Sequence, residues 1–214
     1  MYLKIKKILD RFFGVLAFIV FLPLMLIAAF LIVLDGNKTV FFKQERVGYN
    51  EKKFLAYKFR TMKSTKVKFN VNNPVIKDNN PNVTKIGKFL RKTKIDELPQ
   101  LINIIKGEMS FVGPRPFLDV YYDVYEDWEL KKFDITPGLT GLAQIRGNSY
   151  LTTNERSYYD IMYVKNLSFW QDVKIFFLTI KLLFVGEDKM VKKVSPEEIE
   201  KLKEEIRNEK SEGK

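Results

Sequence analysis

No cysteine and no histidine occur anywhere in the 214 residues. The first absence excludes a disulfide framework, thiolate catalysis and thiolate metal sites. The second removes the usual general base near neutral pH and every imidazole ligand. Chemistry is left to carboxylates, cations, hydroxyls and a hard, oxygen-seeking metal. Charge is also missing from one place: between Phe12 and Leu34 no residue carries any. Elsewhere it leans one way, to a formal net +11. The expected partners are therefore anions, whether phosphates, nucleic acid or acidic lipid headgroups. The length suits one domain with a sizeable core.

The uncharged run is long enough for a transmembrane helix. No small-residue cleavage site follows it, so a removable signal peptide is not expected. Pro23 is its midpoint. At about 1.5 Å per residue each half is about 16 Å long, half the hydrocarbon thickness. Both flanks are basic, with Lys4, Lys6, Lys7 and Arg11 before and Lys38, Lys43, Arg46, Lys52 and Lys53 after. The positive-inside rule places both flanks in the cytoplasm. A helix that enters, breaks at Pro23 and returns satisfies charge and length together; a simple spanning helix is the alternative. Pro23 frees a carbonyl at membrane depth, which needs a local partner.

What is present is richest from Thr93 to Pro116. Asp96 reads as a helix N-cap and Glu97 as a first-turn acid at the positive end of the helix dipole. Pro99 falls where a missing N–H is tolerated. Leu98, Leu101, Ile102 and Ile105 repeat at helical spacing, and Gly107 ends the helix. Gly113-Pro114-Arg115-Pro116 then holds one guanidinium between two prolines. Read alone, the acids are a cap and Arg115 a surface cation.

The remaining elements frame that stretch. Residues 39–62 read as a β-hairpin turning at Gly48-Tyr49-Asn50. In its second strand Ala56, Lys58 and Arg60 share a face, which aims two cations at an anion or at solvent. Residues 63–83 form an Asn- and Lys-rich loop. Thr84 caps a short helix that delivers Arg91 just before the acidic pair. Residues 117–133 are expected as a helix with an aromatic stripe (Phe117, Val120, Tyr121, Val124, Tyr125, Trp128), and 134–149 as a glycine-punctuated loop. In that loop Gln144 and Arg146 are candidates for contacts to nucleotide or phosphate. A helix over 154–166 carries Asp160. Another starts at Ser168, with Gln171 completing a capping box; its wide apolar face packs on the core or lies in the membrane interface. From Ser195 a polar helix is expected to lie in water.

Arg91, Asp96-Glu97-Leu98-Pro99-Gln100, Lys106-Gly107, Met109 to Pro116 and Pro137-Gly138-Leu139-Thr140-Gly141 together resemble the signature of the bacterial sugar transferase family. These are the monotopic phosphoglycosyl transferases, and the resemblance spans nearly the whole chain. The expected fold is α+β and mainly helical. It comprises a re-entrant membrane helix hairpin over 1–36, a compact cytosolic catalytic domain over 37–186 with a small β-hairpin and interfacial helices, and a charged tail over 187–214. The family usually has serine before the membrane proline, where this chain has Leu22.

The resemblance implies transfer of a phospho-sugar from a UDP-sugar to polyprenyl (undecaprenyl) phosphate, releasing UMP. The setting would be the cytoplasmic face of the bacterial inner membrane. Asp96 would be the nucleophile, with Glu97 steering it or joining it in holding Mg²⁺. Lys58, Arg60, Arg91, Pro114, Arg115 and Asp160 would line the substrates, with Arg115 gripping phosphate bidentately. A carboxylate, with an ordinary pKa of about 3.9, needs no base to become a nucleophile, so the missing histidine fits. The lipid bilayer is a partner and nucleic acid is not; monomer and dimer both remain open. Two other readings compete. A basic, membrane-tethered adaptor explains the charge and the anchor, but not the acid pair or the proline-locked arginine. An enzyme moving only the sugar would release UDP.

Overall fold

The computed structural model describes residues 1–37, 39–63, 80–118, 122 and 125–212. Lys38, residues 64–79 of the expected loop, and Val120, Tyr121 and Val124 of the expected aromatic stripe lie outside them.

Helix α1 (Tyr2–Leu34) takes up the whole uncharged run, with Pro23 inside it. Among the described residues it is the one helix long and apolar enough to cross a membrane. A single stripe of it is buried: Lys6, Asp10 and Gly14 on one side of Pro23, and Met25, Ala28 and Ile32 on the other. Gly14 lets α1 approach Ile104 closely, while Met25, Ala28 and Ile32 pack with Phe59 and Leu90. Between these two footholds every residue from Ile19 to Pro23 is exposed. The polar members of the stripe are tied down, as buried charges must be. One Asp172 oxygen accepts from Tyr2 Oη at 2.6 Å and Lys6 Nζ at 2.5 Å, and the other from Tyr163 Oη at 2.5 Å.

The expected hairpin is present. Strands β1 (Phe41–Val47) and β2 (Lys53–Phe59) pair antiparallel with Phe41 opposite Phe59, and those two rings stack at 5.6 Å. Asn50 takes φ 50° in the turn between them. Helix α2 (Lys85–Lys92) starts at Thr84, whose Oγ1 accepts from Gly87 N at 2.9 Å. A 3₁₀ turn, Ile95–Gln100, leads into α3 (Leu101–Lys106), which Gly107 closes at φ 81°.

The stretch after Pro116 departs from expectation. Phe117–Leu118 form β4, which pairs with the free edge of β1, and further on a 3₁₀ turn covers Glu129–Asp134. The expected loop at 134–149 contains β5 (Gly138–Thr140), which runs parallel to β3 (Ser110–Val112). Its remainder holds two 3₁₀ turns, Gln144–Arg146 and Asn148–Tyr150. In both cases a partner far along the chain supplies the hydrogen bonds, which local periodicity does not register.

Helix α4 (Thr153–Lys165) begins with a full capping box between Thr152 and Glu155. Helix α5 (Phe169–Val185) has half of one. Ser168 Oγ accepts from Gln171 N at 3.3 Å, but Gln171 Oε1 has no partner. Only Asp172, Ile175 and Leu182 of α5 are buried. Phe169, Trp170, Phe176, Phe177, Leu183 and Phe184 face outward, Trp170 at 76% exposure. Helix α6 (Pro196–Glu212) corrects the expectation of a helix in water. Ile199, Leu202 and Ile206 recur at helical spacing and are buried against Trp128 and Ile161. Lys165–Glu205 at 2.7 Å and Lys203–Glu126 at 3.2 Å flank that seam.

Candidate active site

The site is built where α2 hands over to the 3₁₀ turn. Lys94 takes a left-handed conformation, φ 59°, and itself caps the turn. Asp96 is therefore not the N-cap; it lies with Glu97 in the first turn. The cause is local: Thr93 is the C-cap of α2, and Lys94 follows in the left-handed conformation that commonly ends a helix.

Glu97 sits in a pincer. Its Oε1 accepts from Lys58 Nζ at 2.7 Å and Arg115 Nη2 at 2.6 Å, and its Oε2 from Arg115 Nη1 at 3.4 Å. Lys58 comes from β2, Arg115 from the proline-locked loop, and Glu97 from the turn between them. The loop is held from behind: Gly113 N donates to Thr140 O at 2.9 Å, and Pro114 O accepts from Gly138 N at 2.8 Å. A Cβ at Gly138 would collide with Gly113 N and Thr140 O, so this approach requires glycine.

The two adjacent acids have opposite electrostatics. Burial alone would raise Glu97, yet Arg115 and Lys58 hold its carboxyl well below the usual range. Asp96 is 8% exposed, and no described residue donates a hydrogen bond to its carboxylate. Burial and the neighbouring Glu97 charge push it up to about 6, against the pull of Lys58, Lys94 and Arg91. The result is a carboxylate more basic than usual but still mostly ionised near pH 7. Such a group is a stronger nucleophile than an ordinary aspartate.

The other expected residues are distributed around this centre. Arg91 Nε donates to Thr61 Oγ1 at 2.9 Å, and its charge reaches Asp96. Arg60 lies just past β2, its backbone N–H donating to Val40 O at 2.8 Å. Gln144 packs beneath the Arg115 loop, its Oε1 beside Gly141 and without a partner. Arg146 lies further off; its charge acts on Tyr159. Asp160 is buried on α4, pushed up to about 7 by burial, and within reach of the Arg115 charge.

Sequence reasoning missed Glu187, in the connection after α5. It accepts from Lys94 Nζ at 3.3 Å, Asn148 Nδ2 at 3.2 Å and Ser149 Oγ at 2.8 Å, and its charge reaches Arg115. No motif marks it; only Gly186 at φ 94° turns the chain so that Glu187 reaches the site rim.

An acidic pair set among cations, beside a long apolar helix, makes a site suited to anionic substrates. Comparison with known proteins agrees. A family model, bacterial sugar transferase, matches residues 1–186, and the chain belongs to that family. It is 42% identical over 149 residues to the uncharacterized sugar transferase EpsL of Bacillus subtilis, covering 69% of this chain and 71% of that one. An uncharacterized sugar transferase of Haemophilus influenzae is 38% identical over 199 residues, 84% of this chain and 41% of its own length. A UDP-N-acetylgalactosamine-undecaprenyl-phosphate N-acetylgalactosaminephosphotransferase of Aeromonas hydrophila is 36% identical over 192 residues, 86% of this chain and 45% of its own. The chain thus spans less than half the length of two of these three relatives.

Proposed function

We propose that this chain transfers a phospho-sugar from a UDP-sugar to undecaprenyl phosphate, through a covalent intermediate on Asp96. The observation that carries the reading is the contrast within the acid pair. Glu97 is neutralised by two cations, while Asp96 beside it is buried, free of hydrogen bonds from described residues and raised toward neutrality. The donor and acceptor classes are those of the Aeromonas relative, a UDP-N-acetylgalactosamine-undecaprenyl-phosphate N-acetylgalactosaminephosphotransferase.

In the first step an Asp96 oxygen attacks the phosphorus that bears the sugar. An aspartyl phosphate ester forms, the bond to the bridging oxygen breaks, and UMP leaves with that oxygen. In the second, a phosphate oxygen of undecaprenyl phosphate attacks the same phosphorus. The ester breaks, the Asp96 carboxylate is regenerated and the lipid diphosphate sugar departs. Lys58 and Arg115, held by Glu97 until substrate arrives, hydrogen-bond the phosphoryl oxygens as charge develops. Neither nucleophile must lose a proton, so no histidine is required.

Mg²⁺ fits this donor set. No cluster of three or more acids, histidines or cysteines among the described residues would hold an ion unaided. Asp96 and Glu97 offer the one or two carboxylates that Mg²⁺ takes when substrate phosphates complete its shell. Bound there, it would supply neutralisation of diphosphate charge.

The membrane arrangement is part of the proposal. The exposed residues Ile19 to Pro23 inside α1, with both flanks of the helix seated on one body, support a helix that dips into the cytoplasmic leaflet of the inner membrane and returns. The outward aromatics of α5 would lie in the same interface.

The test is a donor-only incubation. With a UDP-sugar and Mg²⁺ but no lipid, the chain is expected to release about one equivalent of UMP, as burst kinetics of covalent catalysis require. The peptide carrying Asp96 should gain the mass of the phospho-sugar, and Asp96→Asn should abolish both signals. UMP release that waits for undecaprenyl phosphate would mean direct transfer instead. Release of UDP would mean that the sugar moves alone.

A further inference from the structure

Lys132, in the 3₁₀ turn Glu129–Asp134, is only 2% exposed, and its Nζ has no hydrogen-bond partner. The ammonium sits instead in an aromatic cage. Nζ is 3.3 Å from the Tyr125 ring centroid and 3.8 Å from that of Phe117, and the two rings meet edge to face at 5.0 Å. Across from it Asp160, 1% exposed on α4, has an Oδ1 that is equally without a partner. Each is the strongest opposite charge acting on the other, yet no hydrogen bond joins them.

The other groups facing the pair are Glu129 on the same turn, Arg156 on α4 and Arg115 on the proline-locked loop. Tyr125 completes the set. Glu129 accepts from Ser157 Oγ, and Lys132 is the first cation acting on Asp160. A buried charge lacking hydrogen bonds is an expensive way to fill a core, and replacing such an ion pair whole by well-packed apolar side chains is commonly neutral or stabilising. Packing therefore does not account for a lysine at this position. Its neighbours suggest a different role: Phe117 is two residues from Arg115 and begins β4, and Asp160 lies in the field of that guanidinium.

We propose that Lys132 is a positioning residue of the active site, fixing Phe117 and with it the Arg115 loop, and holding Asp160 as a carboxylate that faces Arg115. The inference rests on the phosphoglycosyl transfer proposed above. Wild-type turnover tests that reading, and the variants below test this one.

Lys132→Met removes the charge at similar length, and Lys132→Arg keeps it. Turnover of UDP-sugar with undecaprenyl phosphate is measured against pH for the full chain in lipid nanodiscs, alongside thermal unfolding. Lys132→Met strands the buried Asp160 charge, so it is expected to unfold earlier than wild type, and at temperatures where it is folded to lose about tenfold or more in kcat/KM near pH 7, the range seen when a supporting residue is removed. Its acid limb should move up by about one pH unit, because Asp160 loses its nearest cation. Lys132→Arg should recover most of the loss and the original pH profile. The double variant Lys132→Met with Asp160→Asn leaves no uncompensated charge, so it should fold even where the single variant does not, and it should stay slow. Wild-type kcat/KM and pH profile in Lys132→Met, or in the double variant, would overturn the inference and leave the pair as core charges that only balance each other.

Discussion

Asp96 holds its charge in a place that disfavours it, and this has a measurable sign. Its folded pKa of about 6 exceeds the ordinary value of 3.8, so the folded state binds the proton more tightly than the unfolded chain does. Stability therefore falls as pH rises between those two values, and the full cost, about 3 kcal/mol, is present above them. Asp96→Asn is expected to be inactive yet more stable at pH 7.5, by up to that amount, with the gain fading below pH 4. Denaturant unfolding at the two pH values measures it; a less stable Asn variant at pH 7.5 would remove burial as the cause. Arg115→Lys keeps the charge but not the planar fork that spans both Glu97 oxygens. A loss of about 10- to 100-fold in turnover is expected, and near-normal rates would reduce Arg115 to a general electrostatic presence. Residues of this kind were legible because they lie within one short stretch, Asp96 to Arg115, or one strand away at Lys58. Glu187 and Lys132 were not. Their roles depend on a turn at Gly186 and on a cage assembled from Phe117 and Tyr125, which no local spacing announces.

Elements with strong local signals were read correctly from sequence. Thr84, Ser168 and Gly107 all stand at helix ends, and the β1–β2 hairpin turns where Gly48-Tyr49-Asn50 predicted. Elements that exist only through distant pairing were not. β4 and β5 are two and three residues long, too short to show alternation, and each is stabilised by a strand remote in sequence. The β3–β5 pair carries the Arg115 loop, so it is the weakest place to alter. Gly138→Ala forces a methyl group into the Gly113 backbone and is expected to cost about 4 kcal/mol or more, with activity lost; calorimetry on membrane-reconstituted protein reads the first effect. The tail helix misled in another way. Its charges are conspicuous, whereas Ile199, Leu202 and Ile206 make a thin apolar stripe that is visible only once Trp128 and Ile161 are set against it. Ile206→Ala should cost about 3 kcal/mol, as a buried large-to-small change does. A change within a few tenths would mean that α6 docks mainly through its ion pairs.

At the scale of the whole molecule the question is which side of the membrane each end of α1 occupies. Single cysteines near residues 5 and 50 meet no native thiol. Both are expected to react with an impermeant reagent only after the cytoplasmic face is opened, and labelling of the first from outside intact cells would establish a spanning helix. The apolar run and its basic flanks were plain in the sequence; that both halves of the helix seat on the same body was not, since it depends on Gly14, Ala28 and the three-way grip on Asp172. That grip makes the anchor impossible to exchange as a module. A chimaera carrying an unrelated membrane helix before residue 36 would still reach the bilayer, but it would strip the side chains that cover Phe59, Leu90 and Ile104 and leave Asp172 with Tyr163 alone. The apolar length proposed to enter the bilayer and the packing of the catalytic body are written into the same helix, and neither can be altered by itself.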